Sequence, residues 1–100
     1  MNEHDPAPGA AIGEASAPAL PRHVRLRHDE ARGAWVLLAP ERVLMPDEIA
    51  VEILKRCDGT RRVAEIVDDL CAAYDAPRDV VAGDVLAMLR DLADKGMIRT

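Results

Sequence analysis

The sequence predicts an α+β domain in which a three-stranded antiparallel sheet is followed by a bundle of three helices. Three observations predict it. Residues 24–45 fall into short β-forming runs, residues 47–95 recur at helical spacing, and Pro, Gly or Asp marks each break between them. One hundred residues, 49% apolar and 31% charged, are enough for one ordinary core and too few for a second. That core must be aliphatic, because Phe is absent and Trp35 and Tyr74 are the only aromatics.

Residues 1–20 offer only Ile12 and Leu20 as sizeable apolar groups among Ala, Pro, Gly, Glu and Ser. Burial on that scale does not offset the entropy of ordering a chain, so residues 1–20 read as a disordered tail or linker and residues 21–100 as the domain. "HVRLRHD" sets Val24 and Leu26 against Arg25 and Arg27, the alternation of a half-buried strand. "DEARG" then forms a polar turn closed by Gly33. "AWVLL" carries large groups on both faces, Trp35 and Leu37 on one and Val36 and Leu38 on the other, which suits a central strand. Pro40 favours a tight turn, and "RVLM" supplies a short third strand that must lie at the edge of the meander.

Pro46 is expected at the first position of the first helix, with Asp47 and Glu48 in a first turn whose dipole favours negative charge. Ile49, Ala50, Ile53, Leu54 and Cys57 form its apolar stripe, and Asp58-Gly59 stops it. Thr60 is expected to cap the second helix, where Val63, Ile66, Val67, Leu70, Cys71 and Tyr74 give the cleanest helical period in the chain. The third helix spans about Arg78 to Lys95, with Val81, Val85, Met88, Leu89 and Leu92 on its core stripe and Gly96 at its end. Leu86, Ala82 and Ala93 add a shoulder that makes this apolar face wider than one core contact requires. Met97 and Ile98 are expected to pack back on the fold.

Few residues suggest chemistry. His4, His23 and His28 have no carboxylate or nucleophile at a useful spacing, and no phosphate loop or metalloprotease motif occurs. Asp68 and Asp69 are adjacent on a helix, hence about 100° apart, and read as a solvated face. Arg56, Arg61 and Arg62 either form a charged helix junction or hold an anion. Cys57 and Cys71 lack metal or disulfide spacing and read as reduced thiols. No catalytic residue, metal or cofactor is expected. The start of the chain lacks a basic region followed by an apolar block, so a cytoplasmic protein without a membrane span is expected.

Net charge is −5, and residues 57–100 hold nine acids against six bases, a balance that disfavours docking the helices on phosphates. An edge strand beside a wide helix face fits three readings: peptide binding by strand addition, homodimerisation through the same surface, or plain core packing.

The segments "LLAPERVLMPDEIAVEIL", "CDGTRRVAEIVDDL", "DVLAML" and "KGMI" follow one another in a recognisable order. Their firmest marks are Pro40-Glu41, Ile53-Leu54, Asp58-Gly59 and Asp84-Val85. Over about residues 21–98 this pattern resembles the PqqD family, the peptide chaperones of pyrroloquinoline quinone biosynthesis. The resemblance implies a winged-helix-like domain, a recognition element for a ribosomally made precursor peptide. Such a domain does no chemistry and presents the peptide to a radical S-adenosylmethionine enzyme that crosslinks a Glu and a Tyr. It also implies that the peptide lies beside the third strand, at Arg42, Val43, Leu44 and Met45, under the third helix around Asp84 to Leu89. Helical phase selects Val85, Leu86, Met88 and Leu89 as the helix residues facing it. A winged-helix DNA-binding module or a homodimerisation module is the alternative. Many relatives have Asn near the start of the first helix, where this chain has Met45-Pro46-Asp47, and an aromatic near the C-terminus, where it has Met97.

Overall fold

The computed structural model describes residues 8–100; His4 lies outside them. Strands β1 (Arg25–Asp29), β2 (Ala34–Ala39) and β3 (Arg42–Leu44) form an antiparallel sheet in the order β1-β2-β3. The register places Leu26, Leu37 and Leu44 in one cross-strand row and Arg25, Leu38 and Val43 in the next. The leucine row faces the helices: Leu37 is buried, and Leu26 and Leu44 pack against the core from either side. On the other face Arg27 stands opposite Val36, which is buried even there, since long arginine stems can cover apolar surface while their heads stay in water. The β1–β2 turn is held by Asp29, whose Oδ1 accepts from the amides of Ala31 and Arg32 at 3.1 and 3.3 Å, and by Gly33 at φ +64°.

Helix α1 (Glu48–Lys55) starts later than the sequence predicts. Asp47 is its cap rather than part of its first turn, with extended backbone and Oδ1 accepting from the amide of Ala50 at 2.8 Å. An Asp side chain satisfies an otherwise unpaired helix donor, and that fixes the boundary after Pro46. Helix α2 (Val63–Tyr74) turns Val63, Ile66, Val67 and Leu70 inward against Val85, Leu89 and Leu92 of α3 (Arg78–Asp94), and Ile53 and Leu54 of α1 complete the core. After α3, Gly96 at φ +76° reverses the chain. The amide of Met97 then donates to Leu92 O at 2.8 Å, burying Met97 and Ile98, so methionine anchors this end without an aromatic.

The N-terminal segment departs from the expected free tail. From Pro8 onward it begins with a 3-10 turn, Pro8–Ala11, and crosses the helices as a strap. Ile12 is buried in the core, 2% exposed, and Ala19 bridges both Asp58 and Arg99. The strap also explains why Thr60 does not cap α2: the first amides of that helix, those of Val63 and Ala64, donate to the carbonyls of Ser16 and Glu14 at 2.8 and 2.9 Å. The amide of Gly59 donates to Pro18 O at 2.9 Å. Backbone pairing of this kind orders a segment that its side chains alone would leave free.

Cys57 and Cys71 are free thiols. Burial pushes the Cys57 thiol up to about 12, and its Sγ donates to Ile53 O at 3.3 Å. Among the described residues no helix is long and apolar enough to cross a membrane.

Candidate functional site

Among the described residues β3 is paired on one side only. It follows β2 through a two-residue turn, Pro40-Glu41, so Ala39 and Arg42 are the closing pair. Such a pair is hydrogen-bonded, the next is not, and the pattern alternates. The N–H and C=O of Val43 therefore point away from β2, in the plane of the sheet. Its side chain, 58% exposed, lies on the outer sheet face with Leu38 and Val36, whereas that of Leu44 turns toward the helices.

α3 runs antiparallel to β3. Lys95, Gly96 and Met97 share a hollow with Ala39, Pro40 and Arg42, and the middle of the helix stands beside Leu44 and Met45. There a hollow of about 250 Å³ is built from Leu44, Met45 and Pro46, from Ala50 and Leu54 of α1, and from Met88, Asp91 and Leu92 of α3, with Leu37 at its floor. Its walls are apolar apart from Asp91, whose carboxylate is held by Lys95 at 2.7 Å. Met45 is 52% exposed at its mouth. An extended chain laid along β3 would find a backbone donor and acceptor at Val43 and, one residue on, an apolar hollow for a side chain.

The residues predicted for this site divide into groups. Arg42, Val43, Leu44 and Met45 lie together along the open edge, and Met88 joins Leu44 and Met45 in the hollow. Val85 and Leu89, at 1% and 0% exposure, are core residues that support the helix from behind. Leu86 is one helical turn from Arg90, whose Nε and Nη2 donate to Ile12 O, so it shares the face covered by the strap. The wide shoulder of α3 is thus partly an internal contact: Ala82 and Ala93 are buried as well. Asp84 is exposed in a separate hollow nearer the start of α3. Sequence reasoning missed Asp91 and Leu92, although they stand three and four residues beyond Met88 and the same helical period would have reached them.

The arginine junction is engaged internally. Arg56 Nε donates to Asp69 at 2.8 Å and its Nη1 to Glu52 at 2.9 Å, while Arg61 lies 3.7 and 3.8 Å from Asp58 and Asp69. These bonds hold the Asp69 and Glu52 carboxyls below the usual carboxylate range. Through Arg56 and Arg61 the cluster joins α1 to α2 as a charged helix junction.

A profile of the family described as Coenzyme PQQ synthesis protein D (PqqD) matches residues 34–98, from the start of β2 through the whole helical bundle. The chain belongs to the PqqD family. Among PqqD relatives, the PqqA binding protein of Bradyrhizobium diazoefficiens is 58% identical over 88 residues, which cover 88% of this chain and 85% of the relative. That of Xanthomonas oryzae pv. oryzae is 44% identical over 90% of this chain and 98% of its own. The solution structure of the PqqD truncation of Methylobacterium extorquens PqqCD, described as a functional, stand-alone RiPP recognition element, superposes with a TM-score of 0.79. It is 42% identical and covers 92% of this chain and 98% of that one. The crystal structure of PqqD from Xanthomonas campestris, 43% identical, gives 0.58 over 90% and 100%. The three-stranded sheet followed by three helices is thus the winged-helix-like arrangement of PqqD domains.

Proposed function

We propose that this chain is a carrier of the PqqA precursor peptide. It binds the peptide as a fourth strand beside β3 and presents it to a radical S-adenosylmethionine enzyme, which joins a Glu and a Tyr side chain of the peptide. The chain supplies no catalytic residue to that step and acts in the cytoplasm. One observation carries the reading: the outward amide and carbonyl of Val43 stand next to the apolar hollow of Leu44, Met45 and Met88. Backbone pairing provides affinity largely regardless of sequence, and the hollow selects the side chain that follows. The names of the relatives, PqqA binding proteins at 58% and 61% identity among others, support the same ligand.

The test is a titration of the ¹⁵N-labelled full chain with synthetic PqqA of Bradyrhizobium diazoefficiens. The amide signals of residues 42–45 and 88–92 are expected to shift together. Movement confined to the Arg61-Arg62 junction would place the peptide elsewhere and overturn the reading.

A further inference from the structure

A second apolar hollow, of about 200 Å³, opens near the start of α3, where Ile49 of α1, Tyr74 at the end of α2, Ala76 of the connection that follows, and Val80 and Val81 of α3 converge beside Asp84. Five large apolar side chains are exposed among the described residues. Val43 and Met45 belong to the β3 edge, and the other three, Ile49, Tyr74 and Val80, all line this hollow. Leaving three such groups exposed around one depression is costly unless something covers them.

Position connects this hollow to the first one. Val81, Asp84, Met88 and Asp91 follow one another at helical spacing along one stripe of α3, the first two beside Ile49 and the last two beside Met45. The seven residues from Val81 to Met88 rise about 10 Å, which an extended chain covers in about three residues. A peptide strand that continued past Met45 has about that distance to cover to the second hollow.

Charge narrows what fits. Asp84 lines the hollow and Asp75 directly follows Tyr74, both exposed. The neighbouring cation, Arg78, is occupied elsewhere: Nη2 is 2.7 Å from Glu14 and Nε is 2.7 Å from Asp68. A second copy of this chain would bring the same acids together on both sides. A peptide segment carrying Lys or Arg beside an apolar side chain is complementary instead.

We propose that the hollow of Ile49, Tyr74, Val80 and Val81 is a second anchor for the bound peptide, taking an apolar side chain next to a basic one in the segment that flanks the strand paired with β3. The anchor rests on the peptide-binding reading above and sets the register of the peptide, since two hollows a fixed distance apart admit only one alignment of its side chains.

The experiment uses the full chain and PqqA of Bradyrhizobium diazoefficiens, labelled with a nitroxide at one end or the other. One of the two labels should broaden the amide signals of Tyr74, Val80 and Asp84. Val80→Lys and Asp84→Lys, both at exposed positions, should each weaken PqqA binding about tenfold through lost apolar contact and like-charge repulsion, with unchanged circular dichroism. The proposal requires both results. Shifts at residues 42–45 and 88–92 without broadening at residues 74, 80 and 84, or without loss of affinity in the variants, would overturn the anchor and leave strand addition standing. No shift anywhere would overturn both. Broadening of these signals with protein concentration alone would assign the hollow to a second copy and overturn the anchor.

Discussion

The guanidinium of Arg90 closes on the carbonyl of Ile12, with Nε and Nη2 donating at 3.1 and 2.9 Å across 78 residues of sequence. This contact ties the N-terminal strap to the outer side of α3. A third tie lies beside it, the Gly9 amide donating to Asp94 Oδ1 at 2.8 Å. Arg90 and Met88 are about 200° apart around the helix, so strap and groove use opposite sides of the same element.

That separation predicts that strap and groove can be damaged independently. Ile12→Ala should cost about 2–5 kcal/mol of folding stability, as a large-to-small change in a closed core. Arg90→Ala should cost about 1 kcal/mol, since its head is partly solvated. Urea unfolding measures both. Where the variants remain folded, calorimetric titration with PqqA should give the wild-type affinity.

The alternation along β3 predicts different outcomes for two neighbouring prolines. Val43→Pro removes a donor that faces away from the sheet, so it should abolish or strongly weaken PqqA binding while leaving the melting temperature nearly unchanged. Leu44→Pro removes a donor to β2 and should lower stability by about 1–3 kcal/mol. Paired melts and binding isotherms distinguish them, and equal destabilisation would reverse the assignment of which amide is free.

Met88 and Leu86 are two residues apart and should answer differently. Met88→Asp places an unpaired carboxylate in the hollow beside Leu44 and Met45 and should weaken PqqA binding at least tenfold, with a small effect on stability because Met88 is only half-buried. Leu86→Ala, on the strap side, should lower the urea midpoint and leave the affinity alone. Binding isotherms that rank the two the other way round would exchange their faces.

The junction between α1 and α2 predicts an acid limb. Asp69 and Glu52 have carboxyls lowered by hydrogen bonds from Arg56, and Asp58 is lowered by the backbone amides of Arg61 and Thr60. A carboxylate depressed in the folded state contributes stability that is present above its unfolded pKa, about 4, and lost as pH falls through the folded value. Urea midpoints should therefore stay level from pH 8 to pH 5 and fall below pH 4. Arg56→Met should flatten part of that fall, and the same slope in the variant would remove the Arg56 bonds to Asp69 and Glu52 as its cause.

Much of the fold was legible because it is written in residue types. Alternation gave the sheet, period gave α2 and α3, and Asp58-Gly59 and Gly96 gave two helix ends. The open edge at Val43 was equally legible, since a last strand joined by a tight turn has nothing further to pair with. The faces of α3 were legible less completely: spacing identified its apolar positions, but not which of them the strap, the core and the groove would each take.

The sequence by itself determined the order of strands and helices and the presence of a free edge, because local periodicity and turn chemistry depend on residue type. Only the tertiary structure decided the course of residues 8–20 and the division of α3 into its faces. The strap is held largely through the carbonyls of Ile12, Glu14, Ser16 and Pro18, a group every residue carries and no composition distinguishes. Its side-chain requirements, Ile12 in the core and Gly9 where a Cβ would collide with the backbone carbonyl of Arg90, acquire meaning only when the two chain segments meet.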